Sequence, residues 1–270
     1  MAERGVLDEV QAWFHSVPPV TRALFAGILG FSLASGLSII SPYQLLFIPD
    51  FVLKKYQLWR LVTAFLWQPL GFAFVMNLYF FYRNSSDLET GLFVGRTADY
   101  VTFIVFTMLT TCVAAYFLEL MVLFEPMMMA VVYVWASHNS DSRVSFMFGI
   151  QFKALYLPWA LVAMDVFQGN PYPILKLLGI AVGFLYYYLD QTFPRQNNGR
   201  KLLVTPQIFY KWFPPAAGGV AGGAGAGYRF VPPVRPAGGV PGARPGSGGA
   251  TGGGVTQRHT WGSGNRLGTD

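Results

Sequence analysis

Apolar and polar positions along the first 194 residues sort into six long hydrophobic stretches parted by short polar or turn-rich segments. The stretches fall at about 21–41, 65–83, 98–118, 121–137, 145–167 and 172–192, each near the roughly 20 residues a helix needs to cross a bilayer. Ahead of the first, Val6, Val10, Trp13, Phe14 and Val17 share one helical face. That spacing predicts a short helix, either lying on the membrane surface or packed against the bundle. The first stretch follows Glu3, Arg4, Asp8 and Glu9 and is too long for the apolar region of a cleaved signal peptide, so it reads as a signal anchor.

Residues 42–64 break the pattern, being rich in Leu, Phe, Tyr and Trp yet holding Asp50, Lys54 and Lys55. A segment of that kind neither spans nor dissolves. It is expected to lie half-embedded at the interface, with Trp59 and Arg60 as an anchor pair, although an aromatic-belt tryptophan beside a snorkelling arginine is the simpler account. Past residue 194 the pattern stops, and from Pro214 to Thr256 the chain is mostly Gly, Pro, Ala and Val without periodicity, the composition of a disordered linker. The chain therefore divides into an interfacial segment (1–20), a membrane core (21–194), a juxtamembrane segment (195–213), a linker (214–256) and a terminal peptide (257–270).

Composition agrees with an all-α membrane protein. The mean hydropathy is +0.40 and charged residues make up 12%, against about 25% in soluble domains. Charge is uneven: residues 1–194 carry ten Lys/Arg against twelve Asp/Glu, whereas 195–270 carry nine against Asp270 alone. The net charge of +6 thus belongs to the tail. Its basic residues are widely spaced with few aromatics between them, which argues against nucleic-acid binding. Cys112 is the single cysteine, so there is neither an intrachain disulfide nor a thiolate metal site.

Six spans put both termini on one side. That side carries Arg4, Arg83, Arg96, Arg143, Arg195, Arg200, Lys201 and Lys211, and the other Lys54, Lys55 and Arg60. The excess of basic residues places both termini in the cytosol. The sequon Asn84-Ser85-Ser86 would then face the cytosol and stay unglycosylated.

Polar side chains inside spans are costly and face other helices or a wet cavity. Asn77, Glu125, Gln151, Lys153, Asp165 and Asp190 are the cases. Pro126 and Pro158 predict bends in two helices. Asn77, Glu125 and Gln151 fit a path for a polar substrate and fit interhelical hydrogen bonding equally. Gly179 and Gly183, four apart on one face, allow another helix to come close.

The arrangement invites comparison with rhomboid proteases, which use a serine on the fourth span and a histidine on the sixth. Here the fourth reads Phe124-Glu125-Pro126-Met127-Met128-Met129-Ala130 and the sixth Gly179-Ile180-Ala181-Val182-Gly183-Phe184, without either residue. A serine hydroxyl without a base is a poor nucleophile. No metal-ligand cluster or phosphate-binding loop stands out, so no catalytic residue, metal or cofactor is expected.

Several motifs converge on one family. Leu58-Trp59-Arg60-Leu61-Val62-Thr63, Asn77-Leu78-Tyr79-Phe80, Leu88-Glu89-Thr90-Gly91, Ala98-Asp99-Tyr100 and Tyr133-Val134-Trp135-Ala136 closely resemble the Derlins, rhomboid-like pseudoproteases of the endoplasmic reticulum. So do Phe152-Lys153-Ala154, Tyr156-Leu157-Pro158-Trp159, Gly179 with Gly183, and Thr205-Pro206-Gln207. The resemblance covers about residues 5–213 and implies a six-helix rhomboid-like bundle in the endoplasmic reticulum membrane. It further implies that misfolded proteins leave the organelle through this protein for degradation, with a membrane-embedded ubiquitin ligase complex and homo- or hetero-oligomers as partners. Trp59 and Arg60 would anchor the first loop, Gly179 and Gly183 would join the last helices, and a lateral opening between the second and fifth spans would admit substrate. An intramembrane protease and a small-solute transporter or channel remain the alternatives.

Within the terminal peptide stands Trp261-Gly262-Ser263-Gly264-Asn265-Arg266-Leu267-Gly268. This resembles the SHP box by which some Derlins bind the AAA ATPase known as valosin-containing protein. Trp261 stands directly before the first glycine, whereas many such boxes have the aromatic one place earlier, where this chain has Thr260. Binding is expected to seat Trp261 and Leu267 in apolar grooves, with Gly262 and Gly264 allowing backbone approach and Arg266 meeting an acidic rim. The linker gives the peptide a root-mean-square reach of about 35 Å.

Overall fold

The computed structural model describes residues 5–145, 151–169, 173–196 and 202–213, and these are mostly helical. Helix α1 (Val6–Ser16) leads into α2 (Pro19–Gly36). Of the two expectations for the amphipathic opening, packing holds: the Trp13 ring lies 6.0 Å from Phe25 and 5.5 Å from Tyr82, and Val17 is buried. The loop that follows contains three short helices, α3 (Pro42–Leu45), α4 (Pro49–Lys54) and α5 (Arg60–Thr63).

Helix α6 (Phe72–Asp87) starts several residues later than its hydrophobicity predicts, because Pro69 and Gly71 interrupt the preceding apolar run. A π turn, Leu88–Leu92, prolongs it. Helix α7 (Thr97–Leu118) is the one described helix that is itself long and apolar enough to cross a membrane, and its 22 residues span about 33 Å. It ends where Glu119 turns left-handed (φ 53°).

Helix α8 (Phe124–His138) is the core of the bundle: Phe124 through Val132, and Val134 through Ala136, are all buried. A helix apolar on every side has no solvent face and belongs inside. The fifth apolar stretch is not one helix from residue 145. It opens as a hairpin, with β1 (Arg143–Ser145) antiparallel to β2 (Gln151–Lys153), and becomes α9 (Leu157–Phe167) after a 3-10 turn. Helix α10 (Ile174–Tyr187) runs through a π turn, Tyr188–Thr192, into α11 (Phe193–Gln196). Last comes α12 (Gln207–Trp212).

The expected proline bends are absent from α8 and α9. Pro126 and Pro158 both lie in the first turn of their helices, where an N–H has no intrahelical partner to lose.

Candidate functional site

The contact of α8 with α10 is the most extensive in the bundle, and two glycines make it close. A Cβ on Gly179 would come 2.4 Å from the Pro126 carbonyl oxygen and 2.6 Å from Met129 Cβ. At Gly183 the same atom would stand 3.0 Å from the Ala130 carbonyl oxygen and 3.0 Å from Tyr133 Cβ. The backbones touch where both residues lack a side chain.

One turn before Gly179, Lys176 is buried and its ammonium donates to Asp165 Oδ1 on α9 at 2.5 Å. This pair lies within electrostatic reach of Glu125, in the first turn of α8. Gln68 Nε2 donates to Glu125 Oε1 at 3.2 Å, and the Gln68 backbone N–H donates to Ser32 Oγ on α2. Among the described residues five buried side-chain atoms have no protein partner: Gln68 Oε1, Glu125 Oε2, Asn77 Nδ2 on α6, and Thr107 Oγ1 and Thr111 Oγ1 on α7. All five residues are more than nine-tenths buried. Buried polar atoms are nearly always hydrogen-bonded, which sets these five apart from the rest of the interior.

A second polar cluster is complete. Glu89, on the π turn after α6, accepts from the backbone N–H groups of Val20 (3.0 Å) and Thr21 (2.8 Å) and from Thr21 Oγ1 (2.8 Å). These N–H groups lie in the first turn of α2 and lack helical partners, so the carboxylate caps that helix from a distance. Thr21 Oγ1 also bonds Ser85 Oγ, which bonds the Tyr100 hydroxyl on α7.

The first loop turns on Arg60. It is only 3% exposed and donates to the carbonyls of Tyr43 and Leu46 and to Gln57 Oε1, each at 2.7 Å. The guanidinium also lies over the Tyr43 and Phe51 rings. It points into the loop rather than snorkelling, while Trp59 beside it is 56% exposed. The loop is tied to the bundle by Phe47 N–H on the Met121 carbonyl and Leu123 N–H on the Ala64 carbonyl.

At the far end, Asp99 in the first turn of α7 accepts from Thr205 Oγ1 (2.6 Å) and the Tyr210 hydroxyl (2.7 Å). Partial burial and the Asp99 carboxylate raise the Tyr210 phenol above its ordinary pKa.

Of the proposed path residues, Asn77 and Glu125 are buried in the bundle, but Gln151 lies on β2 and is exposed, outside any helix. Trp261, Gly262, Gly264, Arg266 and Leu267 fall outside the described residues, as does the whole linker. Sequence reasoning missed Gln68, Glu89 and Lys176. For Lys176 there was a signal: a lysine and an aspartate flank one short Gly-Asn-Pro-Tyr-Pro turn, both inside apolar stretches. Asn84, the sequon residue, is buried in α6 and donates to the Phe80 carbonyl. A missing glycan there therefore carries no information on orientation. Among the described residues no group of three His, Cys, Asp or Glu side chains could hold a metal.

The described residues thus hold one helix long and apolar enough to cross a membrane, a buried central helix and charged side chains in the interior. Residues 17–207 match the Der1-like family, and the chain belongs to that family. It is 38% identical to Derlin-1 of Homo sapiens over 266 residues, 97% of this chain and 99% of that one. Over 242 residues it is 33% identical to Derlin-2.1 of Zea mays, covering 82% of this chain and 94% of the relative. Derlin-2 of Oryza sativa subsp. japonica is as similar, 33% over 242 residues with the same two shares.

Proposed function

We propose that this protein is a non-catalytic factor of the endoplasmic reticulum membrane that lets misfolded proteins pass to the cytosol for degradation. The observation that carries this reading is the buried set of Gln68, Asn77 and Glu125, whose unsatisfied polar atoms lie within an apolar bundle. A polypeptide backbone needs hydrogen-bond partners inside a membrane, and these atoms offer both acceptors and a donor. Helix α6 packs on α2 and α8, whereas α9 packs on α8 and α10. A substrate would enter laterally between α6 and α9 and meet the polar set behind them. Gln151, exposed on the hairpin, would meet it only outside the spans.

The bundle crosses the bilayer six times in this reading, with both termini cytosolic. Helix α9 has only 11 residues, about 16 Å of rise, and the thinner hydrocarbon such a span favours lowers the cost of moving polar groups across. Against cleavage chemistry stands α8, where the rhomboid serine would be expected and Glu125-Pro126-Met127 is found. The pulling force comes from a AAA ATPase of the valosin-containing-protein type, held by Trp261, Gly262, Gly264, Arg266 and Leu267 beyond the Gly- and Pro-rich linker. A membrane-embedded ubiquitin ligase complex marks the emerging substrate.

The decisive experiment titrates full-length protein in nanodiscs against the hexameric ATPase, beside the Gly262→Ala/Gly264→Ala form. Saturable binding that the double substitution abolishes, together with slowed substrate degradation in cells, supports coupling to the motor. Equal binding by both forms removes the terminal peptide from the mechanism.

A further inference from the structure

The segment leaving the bundle is held by one carboxylate. Asp99 Oδ1 accepts both the Thr205 and Tyr210 hydroxyls, while Oδ2 lies 3.5 Å from the Arg96 guanidinium. Hydrogen bonds to an ionised acceptor are the strong kind, and these two fasten α12 to the start of α7 across more than a hundred residues of sequence. Thr205 is half-buried in a non-helical run whose neighbours Leu202, Val204 and Pro206 are exposed, and Pro206 is extended (φ −59°, ψ 137°). A non-helical segment with exposed residues on both sides and an extended proline directly after the hydroxyl residue is the form a proline-directed kinase reads.

The chain has two Ser/Thr-Pro steps, Ser41-Pro42 and Thr205-Pro206. They lie at opposite ends of the bundle. The start of α2 is tied through Ser85 to Tyr100, one residue from Asp99, whereas Ser41 follows the other end of α2. A kinase confined to one side of the membrane meets only one of them.

We propose that Thr205 is a phosphorylation site for a proline-directed serine/threonine kinase, and that its phosphorylation releases α12 from Asp99. The proposal rests on the cytosolic orientation given above, since ATP is the phosphoryl donor. Thr205 Oγ1 forms a bond to the γ-phosphorus of ATP, the bond from that phosphorus to the β,γ-bridging oxygen breaks, ADP leaves, and the hydroxyl proton passes to a base of the kinase. The proton that had bonded Asp99 is gone. In its place stands a phosphate of about −1.5 to −2 charge at neutral pH, beside a carboxylate, so attraction becomes repulsion. Residues 202–213 are then no longer fixed to the start of α7.

The test uses full-length protein in lipid nanodiscs, which leave both faces open, treated with a proline-directed kinase and ATP and mapped by mass spectrometry. Thr205 is expected to take phosphate to near stoichiometry, and Thr205→Ala to remove that signal. Nitroxides placed through Val94→Cys and Trp212→Cys, in a Cys112→Ala background, report the distance from the turn just before α7 to α12 at two exposed positions. A single narrow distance should broaden at least twofold after kinase treatment, and Asp99→Asn should broaden it without kinase. No phosphate on Thr205 overturns the proposal. So does phosphate with an unchanged narrow distance, the outcome if Arg96 recaptured the phosphothreonine. In sealed microsomes with kinase outside, Thr205 should be modified and Ser41 not. Modification of Ser41 in place of Thr205 overturns the orientation and, with it, the proposal.

Discussion

Two polar clusters are buried in one bundle, and they are finished to different degrees. Around Glu89 every carboxylate oxygen is engaged, and a chain of hydroxyls runs on from Thr21 through Ser85 to Tyr100. Around Glu125 one oxygen bonds Gln68 and the other bonds nothing, and Gln68 Oε1 is equally unpaired. A satisfied network holds one arrangement of helices, because any shift breaks several bonds at once. An unsatisfied one costs stability in the resting protein, and that cost is recovered when something polar arrives. The first cluster fastens the bundle; the second is the one that the proposed function uses for binding.

The comparison breaks most easily at Lys176. Removing its ammonium with Lys176→Met leaves Asp165 charged and buried, and should cost about 3–5 kcal/mol, read as a shift in SDS-titrated unfolding. The double change Lys176→Met/Asp165→Leu should recover most of that loss, and failure to recover it would show that a third group depends on the pair. Next comes Glu89→Gln, which takes a charge from three hydrogen bonds and should cost about 1.5–3 kcal/mol by the same titration. Gly179→Ala, whose methyl would collide with the Pro126 carbonyl, should cost about 1–3 kcal/mol, and Gly183→Ala less, since its contacts are longer. The smallest stability effect belongs to Glu125→Gln, within about 0.5 kcal/mol, because the unpartnered oxygen has no bond to lose. Yet this change should slow substrate degradation in a cycloheximide chase more than Glu89→Gln does at matched protein level. Equal slowing by both would erase the distinction between the clusters.

Much of this was legible in residues. The hydrophobic period placed α2, α7 and α10 to within a few residues, because apolar runs of that length admit no other regular element in a bilayer. Where prolines stood at residues 126 and 158, sequence reasoning placed them inside spans and expected bends. The helices instead begin there, since a proline in the first turn costs nothing and the apolar run before Pro158 had the alternation of a strand in Val144 and Phe152. Glu89 passed unnoticed because its role is to cap a helix some seventy residues away, and no local pattern encodes a partner at that distance. Arg60 was recognised, but its direction was not: beside an interfacial tryptophan, snorkelling and inward bonding read alike until the carbonyls of Tyr43 and Leu46 are placed.

By itself the sequence determined a helical membrane protein of the Der1-like family, with a basic tail ending in a compact aromatic and glycine motif. Span length, charge asymmetry and motif are local properties, and local properties survive reading in one dimension. Only the tertiary structure decided that α8 is the buried axis, that Lys176 neutralises Asp165, that Glu125 keeps a free oxygen, and that Asp99 grips the chain where it leaves the bundle. Each of these depends on which side chains meet across helices, and in a medium without water a polar group's role is set by the partner it finds or lacks.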